Sequence, residues 1–174
     1  MLLRFCLFFL ATFLSISCQE NVKDSEKSTK SEFQWKYGTL NDEMDGGKTY
    51  YASIKSKNKA EFDFPYEGGS YLFFKYSKEK ENESVFLRIT KGQFSIGLGD
   101  LNHVRIRFDD EEPMNFKYID SDKLEFILLK DFKPISGKLK TAKKMKIEAS
   151  FYGAIKIFDF DIEGFSEEEM KKAK

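Results

Sequence analysis

The sequence predicts an all-β protein, an antiparallel sandwich or barrel with one short internal helix and a second short helix at the C-terminal end. Apolar and polar residues alternate in short runs from Phe33 onward, and Gly, Asp, Asn and Pro separate these runs. Aromatic residues are abundant, with 19 Phe and 8 Tyr. Alternation with turn residues between the runs is typical of antiparallel strands, and aromatic side chains suit a half-buried pleated surface.

The alternating runs are the predicted strands of one domain, which spans residues 33–165. In chain order they read FQWKYG, KTYYASIKS, AEFDFP, SYLFFKYS, SVFLRIT, HVRIRFD, MNFKYI, KLEFILL, MKIEASFY and AIKIFDFDIEGF. No repeat of about 20 to 50 residues relates them, so a solenoid or a propeller is not indicated.

The internal helix is predicted in PISGKLKTAKKM, residues 134–145. Pro134 suits a first helical turn, and Ile135, Leu139 and Ala142 form one apolar stripe. The remaining faces carry Lys138, Lys140, Lys143 and Lys144. We interpret these lysines as a solvated helix face; the alternative is a basic surface for phosphate or anionic lipid.

The C-terminal residues 166–174 form either a short helix or a frayed tail. Ser166 is followed three positions later by Glu169, the spacing of a capping box at a helix N-terminus.

The stretch HVRIRFDDEEP holds the single histidine and is predicted to be a strand running into a turn. Side chains alternate between the faces of a strand, so one face presents Val104, Ile106 and Phe108 to the core. The other face presents His103, Arg105 and Arg107. The acidic residues and Pro113 that follow are typical of a hairpin connection.

Arg105 and Arg107 are the candidate ligand-binding residues. They stand on one face about 7 Å apart, and a guanidinium pair suits a carboxylate or a phosphate. The competing interpretation, which we favour, is that they form cross-strand ion pairs with acidic neighbours. His103 is expected to be a surface or strand-edge residue, because no partner for nucleophilic or metal chemistry accompanies it.

Other acidic and glycine-rich stretches are predicted to be structural. NDEMDGGK (residues 41–48) lacks the oxygen spacing of a calcium loop and is predicted to connect two strands. FDFDIEGF (residues 158–165) is predicted to be an edge or outer strand, whose carboxylates are solvated rather than bound to a cation. In DFPYEGGSYLFF, Gly68 and Gly69 indicate a tight turn with positive φ. No catalytic residue, metal site or cofactor is predicted.

The first residues, MLLRFCLFFLATFLSISC, are predicted to be a lipoprotein signal peptide over residues 1–17. One arginine precedes an apolar stretch and small residues, and the stretch is too short to span a membrane comfortably. A buried helix or a retained anchor is the alternative. Residues 14–18 resemble the lipobox of bacterial lipoproteins, with Ser15 where leucine is usual. This resemblance implies that Cys18 carries lipid, palmitate included, and that no thiol remains, because Cys6 is removed.

Residues 18–32 comprise the lipidated cysteine and a flexible tether. The segment after Cys18 has one aliphatic residue, Val22, which is too little apolar surface to order it. A random coil of this length reaches roughly 20 Å. Gln19, rather than aspartate, follows the cysteine, which by analogy with lipoprotein sorting favours the outer membrane.

The charge composition argues against a nucleic-acid partner. The chain has 29 basic and 29 acidic residues, and its most lysine-rich stretch is interleaved with apolar residues. The expected partners are the membrane, through the lipid anchor, and another envelope protein or an extracellular ligand.

Scattered positions over most of residues 33–165 resemble the VasI-type domain associated with type VI secretion and related single-domain lipoproteins. They are Trp35, the acids at 42–45, Phe64-Pro65-Tyr66, the run from Arg105 to Asp110, the lysine-rich helix, Phe151-Tyr152, Phe158-Asp159 and Gly164-Phe165. The resemblance implies a β-rich envelope module and brings no catalytic residues.

We therefore expect a membrane-anchored envelope lipoprotein that acts as a non-enzymatic binding module. The alternative is an envelope enzyme or an enzyme inhibitor that uses an anion-binding face at Arg105 and Arg107. A concave pocket containing these arginines would favour the alternative, whereas arginines paired on an open sheet would favour the binding module.

Overall fold

A computed structural model describes residues 34–95, 102–152 and 154–173 of the chain. The predicted signal peptide, Cys18, Gln19 and the tether lie outside the described residues. The strands are β1 (Lys36–Asn41), β2 (Lys48–Lys55), β3 (Leu72–Glu79), β4 (Asn82–Ile89), β5 (His103–Phe108), β6 (Met114–Asp120), β7 (Phe126–Leu129), β8 (Lys144–Phe151) and β9 (Ala154–Asp161). The helices are α1 (Lys133–Leu139) and α2 (Glu167–Lys172).

These strands form a 9-stranded sheet in the order β1-β2-β3-β4-β7-β6-β5-β8-β9. Every neighbouring pair is antiparallel. The predicted all-β class is therefore confirmed, and β9 is the edge strand that the alternation in FDFDIEGF indicated.

One face of the sheet supplies the hydrophobic core. The alternation seen in the sequence places Val104, Ile106 and Phe108 of β5 in this core, each at most 1% exposed. Other buried side chains join them in one cluster. The largest of these side chains include Phe74, Tyr76, Phe94, Phe151, Phe158 and Phe160. Burial of such aromatic side chains is the main stabilising contribution to a fold of this kind.

The sheet folds over so that its two ends meet around the core. The residues that follow β2 reach β9, where the Lys57 N–H donates to the Asp159 carbonyl at 2.7 Å. The indole N–H of Trp35, just before β1, donates to the Ile162 carbonyl at 2.9 Å. The Trp35 ring packs edge-on against Phe74 and Phe165. Closure between the ends thus depends on loop and side-chain contacts.

Both helices pack against the core. Pro134 stands in the first turn of α1, and Ile135 and Leu139 are buried, as predicted. Ser166 caps α2, because its hydroxyl accepts a hydrogen bond from the Glu169 N–H at 3.2 Å. Met170 of α2 is 2% exposed. The C-terminal segment is therefore a packed helix, although its α-helical span is only Glu167–Lys172.

Two local predictions differ from the structure. AEFDFP is not a strand: only Ala60 pairs, with Ser70, through two backbone hydrogen bonds of 2.9 and 2.8 Å that close a loop. Pro65 cannot donate to a strand ladder, and Phe62 packs against Phe151 from within the loop. The internal helix also ends at Leu139 rather than continuing to residue 145, because Met145 belongs to β8.

None of the helices in the described residues is long and apolar enough to cross a membrane.

Candidate binding surfaces on the outer faces of the sheet

Arg105 lies on the outer face of β5 and forms an ion pair. Its Nη1 atom lies 2.9 Å from Oε1 of Glu148, the residue directly opposite on β8. The predicted cross-strand pairing is thus confirmed for this arginine. Because the guanidinium is already neutralised on an open sheet, an incoming anion would compete with Glu148 for it.

Arg107 shares the outer face with Arg105 and is half-buried. The residue opposite on β8 is Lys146, whose ammonium pairs with Asp159 of β9. Within the described part of the chain, Arg107 has no ion pair. His103 lies at the start of β5, half-buried and opposite Lys117 of β6. The structure therefore brings the two arginines to one outer surface of the sheet.

The carboxylates of the segment around β9 are matched by lysines. Asp161 lies 3.8 Å from the ammonium of Lys57, and Glu163 lies 3.6 Å from that of Lys143. Together with the Lys146–Asp159 pair, these contacts pair the carboxylates on and beside β9 with lysines. No group of acids and histidines in the described residues is arranged to hold a metal ion.

The acids at residues 42–45 organise a loop, as predicted. The Asp42 carboxylate accepts hydrogen bonds from the backbone N–H groups of Met44 at 2.8 Å and Asp45 at 3.1 Å. These hydrogen bonds lower the pKa of Asp42, because they favour its charged form. Gly68 and Gly69 likewise have the positive φ angles, 91° and 75°, that the sequence indicated.

The lysines of the internal helix region are largely paired. Lys138 contacts Glu111, and Lys140 lies 2.8 Å from Glu167 of α2. Since Lys143 also contacts Glu163, the charge of this segment is mostly matched by neighbouring acids. This arrangement agrees with a solvated helix face more than with a free basic surface.

A second outer surface, over β2, β3, β4 and β7, carries aromatic and basic side chains. We call it the aromatic–basic face and define it by Tyr51, Lys55, Phe73, Lys75, Phe86, Arg88 and Phe126. On β3 and β4 the two kinds of side chain alternate in both directions: Phe73 lies opposite Arg88, and Lys75 lies opposite Phe86. The aromatic members are half-buried, so each leaves part of its ring accessible to solvent.

Cations on this face contact aromatic rings. The Lys75 ammonium lies 4.2 Å from the Tyr51 ring centre, and Lys55 lies 4.2 Å from that of Tyr71. The Arg88 guanidinium lies 5.5 Å from the centre of the Phe126 ring. Such contacts stabilise a cation by roughly 0.5–1 kcal/mol where solvent has access.

The Tyr51 ring is held close to the sheet by a glycine on the neighbouring strand. Gly38 of β1 is opposite Tyr51, and a Cβ atom at Gly38 would lie only 2.4 Å from the tyrosine hydroxyl oxygen. A larger residue would therefore displace the ring. The absence of a side chain at Gly38 lets Tyr51 lie against β1, with Lys75 on the other neighbouring strand, β3.

Acids are scarce on this surface. Along the outward positions of β1 to β4, all of them described, the cations are Lys36, Lys55, Lys75 and Arg88. The acid is Glu79, at the far end of β3, where it accepts a hydrogen bond from the Thr49 hydroxyl at 3.3 Å. The two outer surfaces therefore differ: most charged side chains named on the β5–β8–β9 surface are paired, with Arg107 as the exception, whereas Lys75 and Arg88 on the aromatic–basic face have no acid partner among the described residues.

Lys75 is the most constrained of these cations. Burial lowers the pKa of its ammonium, because desolvation disfavours the charged form. No acidic partner of Lys75 occurs in the described ranges. An ammonium that is partly removed from water without an acid gains more from an added anion than a fully hydrated lysine does.

A shallow groove adjoins the aromatic–basic face along β4, β7 and β6. It has a volume of about 560 Å³, and Phe86, Leu128 and Ile119 line it along one row of the sheet. Asp122 and Lys123 stand at its margin. The apolar surface of the groove therefore begins at Phe86, the residue directly opposite Lys75.

The sequence analysis did not single out this face. Its residues lie in four different runs, and each run alone shows an ordinary amphipathic strand. A usable signal was present in SYLFFKYS and SVFLRIT, where Phe73 and Phe86 occupy the face that the alternation assigns to solvent. Large apolar residues at such positions are candidates for an interaction surface when they cluster.

The described residues thus form a nine-stranded antiparallel sheet with two unlike outer surfaces. Comparison of the chain with protein-family models, with curated proteins and with solved structures gives no match.

Proposed function

We propose that this protein is a membrane-anchored envelope lipoprotein that acts as a non-enzymatic binding module. In this proposal the signal peptide of residues 1–17 is removed, Cys18 carries the lipid, and the tether lets the β domain stand away from the bilayer. Gln19 favours the outer membrane as its location. The VasI-like resemblance supports an envelope module and does not itself assign a partner.

The observation that carries the binding role is the aromatic–basic face. Phe73 and Phe86 are half-buried on the outer side of the sheet, where they are not part of the hydrophobic core. Arg88 and Lys75 lie beside them without acidic partners in the described residues. Exposed apolar area beside unpaired charge is typical of a surface that binds a partner.

The alternative use of Arg105 and Arg107, in an enzyme or an enzyme inhibitor, receives less support. Arg105 is occupied by Glu148, and the carboxylate that pairs with it would have to move before an anion could bind both arginines. A binding test that compares the two faces separates the proposals, because each face offers a pair of residues that can be changed without touching the core.

Anchoring is tested with Cys18→Ser. Cells that express the wild type are expected to yield a palmitate-labelled protein in the membrane fraction, because the lipid is attached to this sulfur. The Cys18→Ser variant is expected to remain an unlabelled precursor. Label retained by Cys18→Ser would contradict the anchor.

Binding is tested with the full-length protein held on liposomes by its own lipid. Capture of detergent-solubilised envelope components is expected to fall in Phe73→Thr/Phe86→Thr, in which threonine keeps the preference for strand. The matched control is Arg105→Gln/Arg107→Gln on the other face. Loss of capture in the control alone would transfer the binding role to the arginines, and equal capture by all variants would refute a role for either face.

A further inference from the structure

We infer that the aromatic–basic face binds an anionic glycan, a chain of sugar rings that carry carboxylate groups. The inference rests on the proposed binding function and specifies its ligand class. It follows from three features of one surface: the unmatched cations Lys75 and Arg88, the half-buried rings of Phe73 and Phe86, and outward hydroxyl groups.

The cations determine the sign of the ligand charge. Lys75 and Arg88 lie on neighbouring strands, each opposite an aromatic residue, with no acid partner in the part of the chain that the structure describes. Both would gain an ion pair from a ligand carboxylate. On the β5–β8–β9 surface Arg107 also lacks an ion pair among the described residues, but an anion held by both arginines must first displace the Glu148 carboxylate from Arg105.

The aromatic residues indicate rings or other apolar faces in the ligand. Phe73 and Phe86 stand diagonally across β3 and β4, and apolar area continues from Phe86 to Leu128 and Ile119. Sugar rings have apolar faces of C–H groups that pack against aromatic side chains. Because cations and aromatic rings alternate on β3 and β4, this surface is complementary to a polymer whose charges and apolar faces also alternate.

Hydroxyl groups complete the match. Ser53 lies opposite Lys75, and Ser84 lies two residues before Phe86 on β4; both are half-buried on this side of the sheet. Short hydroxyl side chains can donate to and accept from the hydroxyls of a sugar. An acidic peptide would use the cations but would have less use for this polar and aromatic pattern.

The ring faces argue against single-stranded nucleic acid. Stacking of bases requires free aromatic faces. Here cations already lie over Tyr51, Tyr71 and Phe126. Phe73 and Phe86 remain, which is a small platform for successive bases. The envelope location in the proposed function is a further argument against a nucleic-acid ligand.

The test measures binding of four labelled probes to the full-length protein in a mild non-ionic detergent. The probes are a hexameric polyuronate, a neutral glucose hexamer, hexaglutamate and a six-residue oligothymidylate. Fluorescence anisotropy is expected to show the polyuronate binding at least about tenfold more tightly than each of the others. Its affinity is expected to fall with added salt, because exposed charges are screened.

Variants locate the site. Lys75→Gln is expected to weaken polyuronate binding about fivefold, and Phe86→Thr by a similar factor. Arg88→Gln provides an independent change at an exposed position, should either of the first two lower stability. Arg105→Gln/Arg107→Gln is expected to bind as the wild type does, and melting curves confirm that each variant is folded.

Several results would overturn the inference. Equal binding of hexaglutamate would show that charge alone is recognised, and tighter binding of the oligothymidylate would indicate nucleic acid. Equal binding of the neutral hexamer would remove the need for an anion. If no probe binds while Phe73→Thr/Phe86→Thr still loses envelope capture, the binding module stands and the glycan inference fails. If capture is also unaffected, both fail.

Discussion

The side chain of Asn58 pairs with the backbone of Asp159 as a neighbouring strand would. Its Oδ1 atom accepts a hydrogen bond from the Asp159 N–H at 2.7 Å, and its Nδ2 donates to the Ile157 carbonyl at 2.9 Å. One amide therefore satisfies a donor and an acceptor on the outer edge of β9. With the adjacent Lys57–Asp159 backbone bond, it protects an edge that would otherwise be open to pairing with another chain.

We expect Asn58→Ala to destabilise the fold by about 0.5–1.5 kcal/mol, because it removes two hydrogen bonds to the backbone of β9. Hydrogen exchange should accelerate at the Asp159 amide before it accelerates in β3. Asn58→Asp is the informative control, since it keeps the acceptor and loses the donor; its effect should be smaller at Asp159. Unchanged exchange at Asp159 in Asn58→Ala would contradict this role.

The outward position of Arg105 and Arg107 predicts a small stability effect. Replacing both with glutamine should lower the free energy of unfolding by no more than about 1 kcal/mol, the scale of exposed ion pairs. Urea denaturation of the double variant provides the measurement. A loss of several kcal/mol would mean that these side chains contribute to the fold in a way that the Arg105–Glu148 pair does not explain.

Ile106, between these arginines, faces the core and is 0% exposed. Ile106→Asp should cost several kcal/mol or prevent folding, because it places an unpaired carboxylate among apolar side chains. Ile106→Val, which shortens the side chain by one methylene, should cost only about 0.5–1.5 kcal/mol. Near-normal stability of Ile106→Asp would show that the faces of β5 are assigned the wrong way round.

Asp109 anchors the turn after β5 to the beginning of β8. Its φ angle is positive, at 46°, and its Oδ1 accepts hydrogen bonds from the Lys144 N–H at 2.8 Å and the Lys143 N–H at 3.1 Å. Asp109→Ala should cost about 1–3 kcal/mol, through unpaired donors and a strained backbone. Asp109→Asn should cost less, because asparagine tolerates this φ and keeps an acceptor oxygen. Asp110→Ala serves as the neutral control in urea denaturation; equal effects at both positions would contradict the anchor.

Glu167 links α2 to the internal helix region through its ion pair with Lys140. From this contact we predict that the free energy of unfolding depends on pH. The hydrogen bond from the Lys140 ammonium, chiefly, lowers the pKa of Glu167 below its ordinary value of 4.5, and partial burial opposes this shift. A carboxylate with a depressed pKa in the folded state stabilises the fold above the unfolded-state pKa. That contribution is lost as the pH falls through the folded-state pKa.

The difference in unfolding free energy between wild type and Glu167→Gln should therefore be largest near pH 7. It should shrink below pH 4.5 and vanish once Glu167 is protonated in both states. Urea denaturation at several pH values measures it, with Glu168→Gln as the control in the same helical turn. A difference that grows on acidification would contradict the sign.

Much of the fold was predictable because the responsible signals are local. A strand buries every second side chain, so alternation alone placed Val104, Ile106 and Phe108 in the core, as observed. Gly68 and Gly69 indicated their turn for a similarly local reason, the freedom of glycine at positive φ. Local signals failed at AEFDFP, where the alternating pattern belongs to a loop closed by Ala60 and Ser70.

The sequence by itself determined the all-β class, the buried face of β5, and the outward position of Arg105 and Arg107. It also supplied the prediction of a lipidated Cys18, which lies outside the described residues. Only the tertiary structure decided that Arg105 meets Glu148 and that Phe73, Lys75, Phe86 and Arg88 form one surface. The physical reason is that periodicity specifies the face on which a side chain lies, whereas strand order and register specify its neighbours. Order and register depend on contacts between residues distant in the chain, and no single run contains that information.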